Sequence, residues 1–210
     1  NARISDKSYK SYKRFSFFYK RIFQNIDKVF AQSEVDKYRL EELGASNVEV
    51  IGNIKLAQLP KVNIELEKPK QVVITAASTH ENEEKLVLNA YKKEQGKLII
   101  VPRHPERFEK VDLQILEFIK DKDISYHKYS TKNDFDSDII LVDKMGILND
   151  IYAISDVVIL GGAFEKIGGH NPVEPAFFNC KIISGKNIFN QKSLFDCIKN
   201  YYLIENDELG

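Results

Sequence analysis

The chain has 210 residues, 43% of them hydrophobic, and its 31 lysines and arginines balance 31 aspartates and glutamates. This length suffices for one complete domain and part of a second, and the composition is ordinary for a globular protein. Because the charges balance, no nucleic acid is expected as a partner. No run of about 18 apolar residues predicts a membrane-spanning helix, and no signal peptide is visible.

The cysteines and histidines predict neither a disulfide framework nor a metal site. Cys180 and Cys197 have no Cys-x-x-Cys spacing, so both are expected to be reduced, as in a cytoplasmic protein. The histidines are too scattered along the chain to indicate a metal-ligand spacing: His80, His104, His127 and His170.

The first 30 residues carry eight cations against two acids, and aromatic residues are interleaved with them. A basic, aromatic, amphipathic segment favours an anionic, partly apolar surface, so residues 7–23 are predicted to contact an anionic membrane surface. The alternative is a helix that packs by its aromatic face and leaves its lysines in solvent. The two interpretations are compatible.

The first part of the chain predicts two helices and two short strands. Apolar residues at three- and four-residue steps predict a helix over residues 8–25. Residues 28–32 and 48–51 are predicted strands, and a helix over 34–43 begins after Ser33 as its N-cap. We assign residues 1–56 to the end of one domain and 57–70, with two prolines and many charges, to a linker.

From residue 71 to residue 210 strands and helices alternate, which predicts a Rossmann-like parallel sheet with helices on both faces, an α/β fold. The ligands of such a sheet bind at the carboxyl ends of its strands. The predicted strands are 71–76, 97–101, 139–142, 156–160 and 181–183, and the predicted helices are 83–93, 106–120, 147–154 and one from 172 to 178.

The unusual residues of this region follow predicted strands. Ser78, Thr79 and His80 precede a helix, where backbone N–H groups could hold an anion, although an ordinary capping box with Glu81 or Glu83 explains them equally. After the next strand, the loop of Pro102 to Arg107 presents Arg103, which suits a phosphate or carboxylate unless the loop is only a solvated surface.

Two further loops could serve a base and a ribose. Met145 and Gly146 could give a flat apolar contact and backbone groups, although most methionines are core residues. In the Gly-rich stretch 161–176, Asn171 is the predicted N-cap of a helix that starts at Pro172. Glu174 could accept from a ribose diol or merely favour the helix dipole, and His170 could be an ordinary loop histidine. Neither a Gly-x-Gly-x-x-Gly fingerprint nor a Walker lysine motif is present.

Taken together, these motifs resemble the Kdo (3-deoxy-D-manno-octulosonic acid) transferase family over most of the chain, which matches about half of a typical member. The motifs occur in the family's order: Asn1-Ala2-Arg3-Ile4-Ser5, Gly52-Asn53-Ile54-Lys55, Ser78-Thr79-His80-Glu81, Pro102-Arg103-His104-Pro105-Glu106-Arg107-Phe108, Met145-Gly146 and Gly168-Gly169-His170-Asn171-Pro172-Val173-Glu174.

The resemblance implies a GT-B-type glycosyltransferase of lipopolysaccharide biosynthesis. Such enzymes transfer Kdo from CMP-Kdo to the lipid A precursor with inversion, without a metal or other cofactor, on the cytoplasmic face of the bacterial inner membrane. Residues 71–210 would be most of the CMP-Kdo-binding domain, and 1–56 the end of the acceptor domain. The membrane anchor and the general base would lie outside this chain.

The resemblance also implies site residues. Lys55 matches the lysine that stabilises the transition state, although by itself it could be a solvated lysine. Further donor contacts are expected from Ser78, Thr79, His80, Gly169 and His170. The positions that match the family's CMP-binding segments are Pro102, Arg103, Met145, Gly146, Ile147, Asn171, Pro172, Val173 and Glu174.

Two positions depart from the family pattern. Ile147 stands where an acidic residue is usual, which puts a side-chain contact in doubt, and Asn82 stands where glycine is usual. The start at Asn1 and the end at Gly210 suggest a fragment. Two alternatives to a Kdo transferase remain: a stand-alone module that binds a nucleotide sugar without turnover, and another GT-B enzyme that uses a UDP-sugar.

Overall fold

The computed structural model describes residues 2–57 and 59–209, with the side chains of all of these except Lys55 and Ala57. The chain divides into two compact units, Asn1–Leu59 and Pro60–Gly210. The domain limits predicted at 56/57 and 70/71 stay predictions. Within the described ranges, no helix is both long and apolar enough to cross a membrane.

The first unit packs helices on a two-stranded parallel sheet. Its elements are α1 (Asp6–Arg14), α2 (Ser16–Phe23), β1 (Val29–Ala31), α3 (Glu34–Glu42), β2 (Val48–Val50) and a short 3-10 helix (Ile54–Ala57). The N-cap at Ser33 is confirmed, because its hydroxyl accepts from the Asp36 N–H at 3.1 Å. The small core includes Ile4, Leu40 and Leu43.

The prediction of one helix over residues 8–25 is wrong, because the backbone leaves the helical region at Phe15. The break separates α1 from α2, and tyrosines of both helices pack against the same core of the first unit. The break therefore lets both short helices pack tyrosines against this core. The outer faces keep exposed aromatic residues: Phe15, Phe17 and Phe18.

The second unit alternates strands and helices as predicted. Its elements are β3 (Val73–Thr79), α4 (Glu83–Ala90), β4 (Lys97–Pro102), α5 (Phe108–Ile119), β5 (Tyr126–Lys128), α6 (Tyr129–Lys132), β6 (Ile139–Leu141), α7 (Leu148–Ile154), β7 (Val157–Leu160), α8 (Val173–Phe177), β8 (Lys181–Gly185), α9 (Lys192–Phe195) and β9 (Tyr201–Ile204). Short 3-10 helices lie at Lys93–Gln95, Pro105–Arg107 and Asn206–Glu208.

These strands form one seven-stranded sheet in the order β5-β6-β4-β3-β7-β8-β9, and every pair is parallel. Alternate residues of β4 face opposite sides: Leu98 and Ile100 pack with α4 and α5, and Ile99 packs with α7. The predicted α/β fold with helices on both faces is confirmed. The strand order reverses direction between β3 and β7, which makes that crevice the topological switch point.

Two edge strands escaped the sequence prediction. β5 and β9 lie at the two edges of the sheet, and β5 has the sequence Tyr-His-Lys, without an apolar run. An edge strand is covered on fewer sides, so it needs fewer apolar residues and gives a weaker signal. Of the two cysteines, Cys180 is buried and Cys197 is exposed, and both are free.

The segment that we interpreted as a linker runs partly along the second unit. The backbone N–H groups of Asn63 and Ile64 donate to the buried Asp150 carboxylate at 2.6 and 3.2 Å. Leu66 packs against a core cluster, and the Lys68 ammonium lies 2.6 Å from Asp156. A prediction based on periodicity therefore missed the contacts of residues 63–68, because charges and prolines interrupt any apolar pattern in this segment.

Candidate functional site

Four loops with unusual residues follow four neighbouring strands, β6, β4, β3 and β7. Because the strands are parallel, their carboxyl ends lie at one edge of the sheet, and the structure brings these four loops together there. Among the predicted site residues, those at this edge are Ser78, Thr79, His80, Pro102, Arg103, Met145, Gly146, Ile147, Gly169, His170, Asn171, Pro172, Val173 and Glu174.

The loop after β3 is not the capping box that was considered. Asn82, not Ser78 or Thr79, is the N-cap of α4, and its backbone is left-handed at φ 71°. Asparagine tolerates this conformation better than most residues, so it can replace a glycine here. Ser78 also has a positive φ, next to an irregularity in the pairing of β3 with β4.

Glu83 fills the place in which an external anion was expected. Its carboxylate is 1% exposed and accepts from the backbone N–H of His80 at 2.9 Å and of Gly162 at 2.8 Å. The N–H groups of Phe164 and Glu165 donate to it at 3.2 and 3.4 Å. The expectation that backbone N–H groups before this helix could hold an external anion therefore fails for the His80 N–H, because the chain itself supplies the carboxylate that accepts from it.

The neighbouring Glu84 ties the same loop to the next strand. Its carboxylate is fully buried, accepts from the Thr79 hydroxyl at 2.9 Å and lies 2.7 Å from the Arg107 guanidinium. Arg107 lies on the 3-10 helix that follows the Arg103 loop. Glu83 and Glu84 thus connect the loops after β3, β4 and β7. The Thr79 hydroxyl donates to Glu84 in this internal contact.

His80 and His170 meet across the switch point between β3 and β7. Their Nε2 atoms are 2.8 Å apart and their rings are nearly parallel. Burial, partly opposed by Glu83, lowers the pKa of His80, and burial together with His80, Arg103 and His104 lowers the pKa of His170 to about 4. The pair is therefore neutral near pH 7. His170 is not an isolated loop histidine.

Gly162 provides the room in which His170 lies. Its φ is +78°, and a Cβ at this position would come within 2.8 Å of the His170 ring. The Gly162 carbonyl accepts from the Gly169 N–H at 2.7 Å, which closes the loop on itself. Glycine is required here both by the backbone conformation and by the close approach of the imidazole.

Arg103 is presented to solvent at the end of β4. Pro102 is buried as the last residue of the strand, and the Arg103 N–H donates to the Thr79 carbonyl at 3.0 Å. The guanidinium acts on His170 by lowering its pKa, so its positive charge lies near the histidine pair. An exposed, backbone-anchored arginine is available to an anionic ligand.

The loop after β6 has two exposed residues, Met145 and Gly146, followed by a buried one, Ile147. Met145 is 52% exposed, so the interpretation of this methionine as a core residue is wrong, and the following Gly146 is exposed with φ +86°. Ile147 is 4% exposed and packs in the core against Ile151. A ligand contact from the Ile147 side chain is therefore excluded in this conformation, because that side chain is committed to the core.

The start of α8 differs by one residue from its prediction. Pro172 is the N-cap rather than the first helical residue, and α8 has five residues. The Asn171 side chain still caps the helix, since its Oδ1 accepts from the Val173 N–H at 3.1 Å. The Asn171 amide also donates to the Glu174 carboxylate at 2.9 Å, which holds that half-buried acid at the edge of the sheet.

One residue of the predicted site, Lys55, belongs to the first unit. Lys55 lies in the 3-10 helix of the first unit, and its side chain lies outside the described residues. In the described part of the chain no group of three acidic, histidine or cysteine side chains could hold a metal ion. A cavity of about 780 Å³ occurs at the opposite edge, lined by Ile64–Gln71 and Tyr129, and none of the predicted site residues lines it.

Comparison with known proteins matches this architecture. Residues 1–58 match a family model described as 3-deoxy-D-manno-octulosonic-acid transferase (kdotransferase). The crystal structure of the C-terminal CMP-Kdo binding domain of WaaA from Acinetobacter baumannii is 33% identical, with a TM-score of 0.52 over 60% of this chain and 67% of that one. The chain belongs to the Kdo transferase family.

Full-length relatives agree with this family assignment. A 3-deoxy-D-manno-octulosonic acid transferase of Rickettsia felis is 36% identical over 203 residues, which are 90% of this chain and 42% of the relative. A bifunctional glycosyltransferase/methyltransferase of Fusobacterium nucleatum is 39% identical over 202 residues, 89% of this chain and 31% of the relative. The chain therefore spans less than half the length of either relative.

Two strongly buried residues of this candidate site were missed by the sequence reasoning. Glu83 was predicted at most to serve the start of a helix and no role was predicted for Glu84, yet the two carboxylates connect the loops of the site. The available signal was two consecutive acids directly after a loop of hydroxyl and histidine residues. A carboxylate that serves a distant loop leaves no spacing in the sequence by which its partners could be found.

Proposed function

We propose that this chain supplies the donor-binding half of a Kdo transferase and binds CMP-Kdo at the carboxyl edge of the sheet. The observation that carries the proposal is the convergence of four loops, which carry Met145, Arg103, His80 and His170, on neighbouring strands around the switch point. Its support from relatives is the likeness to a domain that is described as binding CMP-Kdo.

The parts of CMP-Kdo would meet different loops. Arg103 binds a negatively charged oxygen of the donor through its guanidinium fork. The exposed backbone of Met145 and Gly146, with that of Ile147, contacts the cytosine. The Glu174 carboxylate, steadied by Asn171, accepts hydrogen bonds from the ribose hydroxyls. Ser78, Gly169 and the histidine pair remain as candidate contacts to the sugar acid and phosphate.

The reaction of the parent enzyme would be an inverting transfer to the lipid A precursor. A base outside this chain deprotonates the acceptor hydroxyl, which attacks the anomeric carbon while CMP leaves with the bonding electrons. Arg103 and Lys55 stabilise the negative charge that develops on the leaving phosphate. No metal or other cofactor takes part in this proposal.

The first unit suits the surface on which such an acceptor is found. The outer faces of α1 and α2 expose Phe17 at 76% beside Lys13, Arg14 and Lys20. Aromatic rings that insert among headgroups and cations that pair with anionic lipids bind such a surface together. We propose that segment 7–23 rests on the cytoplasmic face of the bacterial inner membrane.

A titration of the purified chain with CMP and UMP tests the donor assignment. The proposal predicts that calorimetry finds tighter binding of CMP, because the base contact after β6 selects cytosine. Equal affinity for the two nucleotides would contradict the assignment and favour a UDP-sugar enzyme of the same fold.

A transfer assay separates an enzyme from a binding module. With purified chain, CMP-Kdo and lipid A precursor, we expect no transfer, because a base and acceptor must be held within about 3–3.5 Å of the donor carbon. Transfer that appears only when the remaining part of the family's acceptor domain is added would support the parent enzyme. Robust transfer by the chain alone would place the base within residues 1–210.

A further inference from the structure

The contact between His80 and His170 limits how many protons the two rings can hold. Their Nε2 atoms are 2.8 Å apart, so one must donate and the other must accept. In the neutral pair this arrangement leaves the Nδ1 of the donating ring without a proton. One added proton at that nitrogen keeps the contact and turns it into a charge-assisted hydrogen bond. A second would set two donors against each other.

The surroundings of the pair are nearly balanced in charge. On the side of α4, Glu83 and Glu84 favour a protonated His80. On the side of β4, Arg107 opposes protonation of His80 and Arg103 opposes protonation of His170. The His104 ring opposes protonation of both. Burial has the largest effect on the pKa of both rings, and it keeps the pair neutral when no ligand is bound.

A bound oxyanion would favour protonation of the pair. The pair lies at the switch point, between the loops of β3 and β7, where a ligand of this fold is expected to bind. Next to a negative oxygen, a bare Nδ1 is a repelling acceptor, whereas a protonated Nδ1 is a charged donor. The anion therefore gains when the pair takes a proton from solvent.

We propose that the His80–His170 pair binds an oxyanion of the donor and takes up one proton from solvent as it does so. This inference rests on the proposed function and deepens it. The shared ligand chemistry is a single negative charge on oxygen, which the phosphodiester or the sugar carboxylate of CMP-Kdo could supply. The proton moves from solvent to the free imidazole nitrogen, and no covalent bond to the ligand forms.

The pH dependence follows from the sign of this exchange. The pair is neutral when free and protonated when bound, so affinity rises as the pH falls between the bound-state and free-state pKa values. The limiting slope is about tenfold per pH unit for one proton. CMP itself is unsuitable as a probe, because its phosphate monoester titrates near pH 6 (roughly). Phosphodiesters keep a constant charge over this range.

The test counts protons by calorimetry at about pH 6.5, the ordinary pKa of histidine, in two buffers of different ionisation enthalpy. The probes are cytidine 5′-methyl phosphate, which has only the phosphodiester, and CMP-Kdo, which also has the carboxylate. Uptake approaching one proton with both probes assigns the phosphate to the pair. Uptake with CMP-Kdo alone assigns the carboxylate. Binding of both probes without proton uptake would overturn the inference and leave the proposed function intact.

Variants locate the proton. In the double variant His80→Asn/His170→Asn, neither ring of the pair remains to take up a proton, so uptake should fall close to zero. His127→Asn is the matched control, since His127 lies on the edge strand β5, contacts Ser137 and Asp134 through its ring nitrogens, and should leave the proton count unchanged. Unchanged uptake in the folded double variant would overturn the assignment. Failure of the wild-type chain to bind either probe would overturn the proposed function together with this inference.

Discussion

The glycine-rich loop after β7 and the Met-Gly loop after β6 are held in different ways. Gly162, Phe164 and Glu165 donate their N–H groups to the buried Glu83 carboxylate. Met145 and Gly146 are exposed, and their loop is fixed by the burial of the Ile147 side chain that follows. One loop is preorganised through a buried charge and the other through its junction with the core. Changes beneath the first should therefore cost more than changes at the second.

Glu83→Gln should have the largest effect. Both carboxylate oxygens accept from backbone N–H groups, so either orientation of the amide sets an NH₂ group against a donor. Loss of a buried carboxylate that accepts several backbone hydrogen bonds should lower the free energy of unfolding of the second unit by about 3 kcal/mol. Urea denaturation measures this loss. Glu81→Gln is the control on the same loop, because Glu81 is exposed and its carboxylate forms a surface ion pair with Lys110, so the substitution should leave the midpoint nearly unchanged.

Arg103→Ala should have the next largest effect, on ligand affinity rather than on stability. Arg103 follows β4, between the two contrasted loops, and its side chain is exposed. Loss of a charge-assisted hydrogen bond should weaken CMP binding by about 1.5–3 kcal/mol. Calorimetry should show this loss with an unchanged denaturation midpoint. Undiminished CMP affinity would remove Arg103 from the site.

Alanine at two glycines compares the loops directly. Gly162 and Gly146 both have positive φ, at +78° and +86°, so both substitutions should strain the backbone by about 1 kcal/mol. A Cβ at Gly162 would also collide with His170, whereas a Cβ at Gly146 meets nothing within 4 Å. CMP affinity should therefore fall further in Gly162→Ala than in Gly146→Ala. Equal losses would show that the position of His170 does not matter for binding.

Glu174→Gln should have the smallest of these effects. Its carboxylate already accepts from Asn171, and the ribose hydroxyls would add hydrogen bonds of about 1 kcal/mol. CMP should bind more weakly to the variant, whereas free cytosine should bind equally to both proteins. If CMP binding does not change, Glu174 serves only the start of α8.

The sequence predicted the framework better than the contacts of the site. Alternating apolar strands and helices are local patterns, and they predicted the parallel sheet and the edge at which the loops meet. The contact between His80 and His170 joins residues 90 positions apart, and that between Glu83 and Gly162 joins residues 79 apart. No local pattern encodes such pairs. The burial of Ile147 beside the exposed Met145 likewise depends on how α7 packs on the sheet.

The most direct test of the donor-site assignment is a map of the backbone amides that respond to CMP. In ¹H–¹⁵N spectra of the labelled chain, we expect shifts in the loops after β6, β4, β3 and β7, with the largest at Arg103, Gly146 and Gly169. The cavity lined by Ile64–Gln71 at the opposite edge of the sheet should not respond. Shifts confined to that cavity, or none at saturating CMP, would contradict the assignment of the donor site.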